Sequence, residues 1–237
     1  MEAIWYAYRG KPYTGDFPPF YDVRDFEWTK LIQENYPVIQ KEIEEYIQQQ
    51  TNLFQPYFNS TLVEKLKSWK TSNFIFWSKK VKENCSKIPK TVQLFQQIPG
   101  LTSLGISVLE ADAHIKPHHG DTNAIIRCHL GLKIPAKEPT TAIKVGEITK
   151  GWTEGELLLF CDAWMHEAWN KADQPRYVLI FDVIHPHYLL QKKNICANVR
   201  SWLDLQKVYE NQEFIRKSPK ILKIFLRQCL RLKYIFN

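Results

Sequence analysis

Apolar and polar positions change their period twice along this chain. Trp28, Leu31, Ile32 and Tyr36 recur at helical spacing, and after Pro37 the stripe continues through Ile39, Ile43, Tyr46 and Ile47. Such a stripe predicts helices that lay one face on a larger fold. Before them, GKPYTGDFPPFYD is rich in Pro and Gly and predicts an ordered, irregular arm. After them, Asn59-Ser60-Thr61 precedes LVEKLKSW, polar capping residues ahead of an apolar run, which predicts a further helix start.

The middle of the chain has a different rhythm. LGISVLE (104–110), AIIRCHLGLKI (124–134), TAIKV (141–145), ELLLFC (156–161) and RYVLIFDVI (176–184) are short β-rich runs separated by Gly, Pro, Asp and Asn. Their spacing predicts an antiparallel barrel or jelly roll, with an open mouth where a metal and a small ligand can sit. ANVRSWLDLQKVYE and PKILKIFLRQCLRLKYIF then return to helical spacing. The expected fold is mainly β with flanking helices: a double-stranded β-helix, or jelly-roll, cupin-like barrel. The expectation is one domain, with an arm and helices over 1–70, the barrel over 71–190 and basic helices over 191–237.

Composition narrows the function classes. With 237 residues and a hydrophobic fraction of 44%, the chain can bury a sizeable core. The net charge of +7 is carried by Arg216, Lys217, Lys220, Lys223, Arg227, Arg231 and Lys233, a stretch without acid, so the rest of the chain is neutral. These cations are not expected to interleave with exposed stacking aromatics, and no recognisable binding motif joins them, which argues against nucleic acid. Five widely spaced cysteines with no CxxC pair argue against a disulfide framework or a structural zinc site. The first residues lack a basic start followed by an apolar run, and no apolar stretch is long enough to span a bilayer, so a cytoplasmic setting is expected.

Chemistry concentrates in the β-rich stretch. All seven histidines, at 114, 118, 119, 129, 166, 185 and 187, fall there, and the helical regions on both sides have none. This clustering points to a metal or proton-transfer site. Three segments carry it: His114-Ile-Lys-Pro-His118-His119-Gly-Asp-Thr-Asn123 continuing to Arg127-Cys-His129-Leu-Gly-Leu, then His166-Glu-Ala-Trp169, then Arg176 to Asp182 and His185-Pro186.

At these residues the sequence resembles the catalytic domain of aspartyl/asparaginyl β-hydroxylases, over about residues 70–190. HxxPHxGxTNxxxRxHLGL, HExW and RxxxxxDxxHP occur in the family's order, and Phe74 to Trp77 with Asn84-Cys85 and Pro89-Lys-Thr look like its upstream block. The resemblance implies an Fe(II)- and 2-oxoglutarate-dependent dioxygenase that hydroxylates a C–H bond using O2. Such enzymes usually bind iron by two His and one carboxylate, the first His and the acid forming His-x-Asp. Here that position is Gly120, a replacement the family shares, so the implied iron ligands are His118 and His166 alone. Asp121 is one residue too late and is expected as a turn residue or a water-mediated neighbour of the metal. His119, adjacent to His118 on a strand, should point the other way, and His114 is expected to pack the loop.

By the same resemblance, Arg176 takes the 5-carboxylate of 2-oxoglutarate with help from Ser107, since a guanidinium pairs bidentately with a carboxylate. Arg127 and His129, two apart on one strand, face the same way and lie by the cosubstrate 1-carboxylate and the substrate. Trp77 resembles an aromatic residue near the substrate pocket. The implied substrate is the β-carbon of an Asp- or Asn-like residue, free, in a peptide or carrier-tethered. Alternatives are a lipid acyl chain and a non-catalytic, cupin-like binding protein; a halogenase, which also lacks the carboxylate, is not favoured. Peptide-acting members carry an Arg where this chain has Ile125, and Val92 stands in place of a second cysteine. The C-terminal stripe of Leu222, Phe225, Leu226, Cys229, Leu232 and Phe236 predicts a packed helix with a basic face open to solvent. That face would suit an acidic carrier protein, an acidic precursor peptide or an anionic membrane.

Overall fold

The computed structural model describes residues 2–49 and 53–236. The chain forms two compact units, Met1–His185 and Pro186–Asn237.

The first unit carries the strands β1 (Phe20–Tyr21), β2 (Gln55–Pro56), β3 (Trp69–Phe76), β4 (Lys79–Lys80), β5 (Leu101–Leu109), β6 (Ala113–His118), β7 (Ile125–Lys133), β8 (Thr141–Val145), β9 (Ile148–Lys150), β10 (Leu157–Phe160), β11 (His166–Asn170) and β12 (Arg176–Ile184). They build two antiparallel sheets, a large one in the order β1-β10-β7-β12-β5-β3-β2 with β4 beside β3, and a small one in the order β6-β11-β8-β9. This is the expected mainly β, jelly-roll architecture. Its helices are α1 (Trp28–Glu34), α2 (Tyr36–Gln48), α3 (Lys82–Cys85) and α4 (Pro89–Phe95).

Side chains alternate across a strand, so register decides what each sheet face carries. One face of the large sheet presents Leu104, Ile106, Val108, Cys128, Leu130, Leu179, Phe181 and Val183, which pack with Ile32, Ile39, Ile43, Val92 and Phe95 of the helices into the main core. The predicted stripe of α1 and α2 therefore lies against this face. On the other face, the register pairs Arg127 with Asp182, His129 with Ile180, and Ser107 with Val178, and it places Arg176 opposite Leu109. The same face carries Trp69 of β3, opposite Leu109, and Phe160 of β10, opposite Arg127. A smaller apolar cluster holds Ile115, Ile143, Val145 and Ala168 of the small sheet with Leu109, Phe160 and Val178 of the large one.

The helix expected after Asn59 is not formed. Asn59 caps a single 3-10 turn, Ser60–Leu62, by accepting from the Thr61 N–H at 3.2 Å. Val63 then turns extended, bridges to Ile115 and is buried, while Leu66 stays exposed. Pairing with the barrel outcompetes a helix whose apolar positions have no common surface to cover. Seven strands were not anticipated as such: β1, β2, β3, β4, β6, β9 and β11, each short or interrupted by polar residues.

In the second unit, α5 (Lys192–Asn211), α6 (Glu213–Lys217) and α7 (Lys220–Phe236) follow a 3-10 segment, Pro186–Gln191. The orientation of α7 reverses the expectation. The side turned to α5 holds Tyr234, whose hydroxyl donates to Asp204, with the Arg200 guanidinium 3.8 Å above its ring. Lys223 lies 5.4 Å from the Tyr209 ring on the same side. Phe225 and Phe236 of the apolar stripe are exposed instead.

Candidate active site between the two sheets

His118 ends β6 and His166 begins β11, and the register of the small sheet makes them direct cross-strand partners. Directly opposed residues on one face bring their side chains together, and the two imidazole rings are 4.2 Å apart, centre to centre. His118 Nδ1 lies 2.8 Å from the Lys116 carbonyl and His166 Nδ1 lies 2.9 Å from the Trp164 carbonyl. A carbonyl oxygen only accepts, so both Nδ1 atoms carry the hydrogen and both Nε2 atoms keep a lone pair. Burial pushes His118 down to about 4 and His166 well below its usual range, keeping both rings neutral, the form that binds metal. Among the described residues, no group of three or more His, Cys, Asp or Glu is placed to hold a metal. The geometry therefore offers two imidazoles.

Gly120 explains why no acid stands two residues after His118. Its N–H donates to the Asp162 carbonyl at 2.7 Å, and a Cβ built on it would fall 2.0 Å from Asp162 Oδ2. Position 120 thus has no room for a side chain while Asp162 occupies that volume. Thr122 and Asn123 of the same motif are buried and hold the N-terminal arm: Thr122 Oγ1 donates to the Trp5 carbonyl at 2.6 Å, and Asn123 Oδ1 accepts from the Trp5 N–H at 2.8 Å. Asp121 sits in the bend between Gly120 and Thr122, and burial raises its carboxyl to about 6 against the pull of Arg127.

Arg127 is a saturated cation. It makes a two-pronged contact with Asp182, Nε to Oδ1 at 2.8 Å and Nη2 to Oδ2 at 3.1 Å, while Nη1 lies 2.8 Å from Asp162 Oδ2. These carboxylates hold its guanidinium charged despite burial, and burial in turn pushes Asp162 up to about 7. Neither Asp162 nor Asp182 was singled out as a site residue from the sequence. An Asp beside a buried strand Arg was the available signal, but which Asp meets which Arg depends on register.

Arg176 is the opposite case. It is 1% exposed, its guanidinium lies 4.6 Å over the Trp152 ring, and its Nε has no hydrogen-bond partner among the described residues. Desolvation without a counter-charge brings it down to about 9. The Trp152 indole N–H donates to His129 Nδ1 at 3.2 Å, which makes His129 Nε2 the protonated nitrogen, and that donor is also buried without a partner. Ser107 Oγ accepts from the Trp69 indole N–H at 3.0 Å, leaving its own hydrogen to donate. Buried donors rarely lack acceptors, and a cation with two neutral donors on one sheet face suits a carboxylate.

Aromatic rings join the two halves. Phe160 is 5.8 Å from His166 and 5.0 Å from His129, edge-on to both. Trp69 is 6.2 Å from His118 and stacks on Tyr57 at 3.7 Å. Trp69 and Trp152 were missed as site residues because an isolated Trp carries no spacing signal. The structure thus brings together His118, His166, Ser107, His129, Arg127 and Arg176. It sets others apart. His119 donates to the Ala163 carbonyl at 2.7 Å and rests against Trp5. His114 lies between Glu64 and Glu167, at 3.0 and 2.8 Å. Trp77 occupies the two-residue turn between β3 and β4 with φ 44° and is buried, and no contact ties it to the histidine pair among the described residues.

Fold and site together define a jelly-roll protein with two facing histidines and, on the other sheet, a buried arginine whose Nε has no partner among the described residues. A family model for aspartyl/asparaginyl β-hydroxylase matches residues 33–186, and the chain belongs to that family. It is 37% identical over 174 residues, 71% of its length, to an ornithine lipid ester-linked acyl 2-hydroxylase of Rhizobium tropici, of which the match covers 61%. It is 33% identical over 174 residues to human aspartyl/asparaginyl β-hydroxylase, covering 70% of this chain and 22% of that one. Mouse aspartate β-hydroxylase domain-containing protein 2 is 32% identical over 193 residues, with 74% and 51% covered. The chain thus spans less than two thirds of the length of these relatives.

Proposed function

We propose that the protein is an Fe(II)- and 2-oxoglutarate-dependent hydroxylase. The observation that carries this reading is the pairing of two neutral imidazoles at 4.2 Å with a buried, uncompensated Arg176 on the facing sheet. The residues fit the group. Two Nε2 lone pairs suit a borderline divalent metal and leave other positions open, and the unpartnered donors of Arg176 and His129 suit a dicarboxylate. Iron with 2-oxoglutarate and O2 supplies the oxidising power to functionalise an unactivated C–H bond.

Everything else falls to the chain. His118 and His166 hold the metal, each kept in one tautomer by its backbone carbonyl. Arg176 and Ser107 anchor the distal carboxylate of the cosubstrate, and His129 donates from Nε2 to its other end. Arg127, clamped by Asp162 and Asp182, acts as a fixed positive wall. Phe160, Trp69 and Trp152 exclude water. The absence of disulfides among the described residues supports a reducing, cytoplasmic setting.

Two substrate classes follow from the family, the β-carbon of an Asp-like residue and a lipid acyl chain. Arg127 favours the acyl chain. An Asp-like substrate brings a carboxylate that needs its own cation, yet Arg127 already serves two aspartates, and Ile125 is fully buried.

The test is succinate release from 2-oxoglutarate with Fe(II), followed by mass spectrometry of candidate substrates for a gain of one oxygen. Fe(II)-dependent succinate release with oxygen gained by an ester-linked acyl lipid is expected. Oxygen gained by an Asp-containing peptide instead would move the substrate to the first class. No succinate from metal-loaded protein would leave a cupin-like binding protein.

A further inference from the structure

We infer that α7 is a docking surface for an anionic lipid bilayer. In a helix of a water-soluble unit the apolar stripe is the packed side. Here it faces outward: Ile221, Phe225 and Phe236 are 81%, 62% and 81% exposed, with Ile224 and Leu232 at 52% and 49%. Positions 221, 225, 232 and 236 share one side of the helix, with 224 at its edge. Phe214 of α6 is also 81% exposed.

The charge around the stripe selects its occupant. From Phe214 onward the chain has seven cations and no acid. Lys220 and Lys233 flank the stripe from either side and are exposed, and Arg231 borders it half-buried, donating to Gln228 at 3.5 Å. Arg216 and Lys217 reach Glu213 at 3.3 and 2.9 Å, exposed pairs of little strength that leave the region strongly positive. A second copy of the chain laid stripe to stripe would bring like charges together. A bilayer with anionic headgroups meets both features at once: apolar side chains sink to the acyl boundary while lysine stems reach back to the phosphates. No helix of the described residues is long and apolar enough to cross a membrane, so α7 would lie in the interface plane. The inference stands on α6 and α7 and does not rest on the catalytic reading.

The experiment is flotation of the full chain with vesicles of phosphatidylcholine alone or with phosphatidylglycerol at about one lipid in three, where surface charge should raise recovery by roughly tenfold. Ile221→Ser with Phe225→Ser should abolish recovery while circular dichroism stays unchanged, since both side chains are exposed. Lys220→Glu with Lys233→Glu should lower recovery and weaken its dependence on salt. Equal recovery with both vesicle types overturns the inference. So does wild-type recovery of the serine variant, or binding to a soluble acidic carrier protein with no recovery on vesicles. Because flotation reads no turnover, an inactive chain that floats leaves the inference standing.

Discussion

Two arginines on neighbouring strands, both turned to the inner face of the large sheet, are treated in opposite ways. Arg127 has a carboxylate on each side, held at 2.8 Å by Asp162 and Asp182, while Arg176 has an indole face and no carboxylate among the described residues. A buried ion pair offsets its desolvation only when its geometry is satisfied, and breaking one is costly. An unpaired buried cation is a standing penalty that persists where something else compensates it. The difference separates a cation built into the framework from one whose charge is left unmatched, the one the proposed function assigns to the cosubstrate.

The largest effects lie at the centre both arginines surround. His118→Ala and His166→Ala should each abolish Fe(II)-dependent succinate release, because two protein ligands leave no redundancy; near-normal release by either variant would sink the assignment. At the Arg127 end, Asp182→Ala should cost about 3–5 kcal/mol of stability, the usual loss when a buried pair is broken. Urea denaturation reads it, and a loss below about 1 kcal/mol would show that Arg127 is not held as described.

At the other end the pattern should invert. Arg176→Met removes an uncompensated charge, so the denaturation midpoint should stay level or rise. The KM for 2-oxoglutarate should increase tenfold to over a hundredfold, about 1.5–3 kcal/mol for a charge-assisted contact. A destabilised variant with unchanged KM would make Arg176 structural and erase the contrast. Gly120→Ala drives a methyl into Asp162 and should cost about 1–3 kcal/mol, the range for overpacking; a neutral result would mean that Asp162 moves aside readily. Ser107→Ala should have the smallest effect, a few-fold rise in the same KM for a neutral hydrogen bond of about 0.5–1.5 kcal/mol. A rise as large as that of Arg176→Met would move the principal anchor to Ser107.

The sequence by itself determined the elements whose pattern is local. The runs at 141–145 and 176–184 coincide with β8 and β12, and the stripe of Ile39, Ile43 and Tyr46 is the buried side of α2. Alternation and helical spacing report which residues share a face, and that information lies within a few neighbours. The histidine motifs were legible for the same reason, since their spacing is short. What a face meets is a different question. That His118 opposes His166, that Asp162 and Asp182 close on Arg127 while Trp152 lies under Arg176, and that Gly120 is pressed against Asp162 follow from the register of strands far apart in the chain. The stretch after Asn59 became a single 3-10 turn because Val63 found a partner in Ile115. The stripe of α7 was read correctly as a stripe, but tertiary packing turned its tyrosine and lysine side to α5 and its phenylalanines outward. An amphipathic pattern fixes the division between two faces; the surroundings each face finds, and so which one is buried, are set by contacts that no local period encodes.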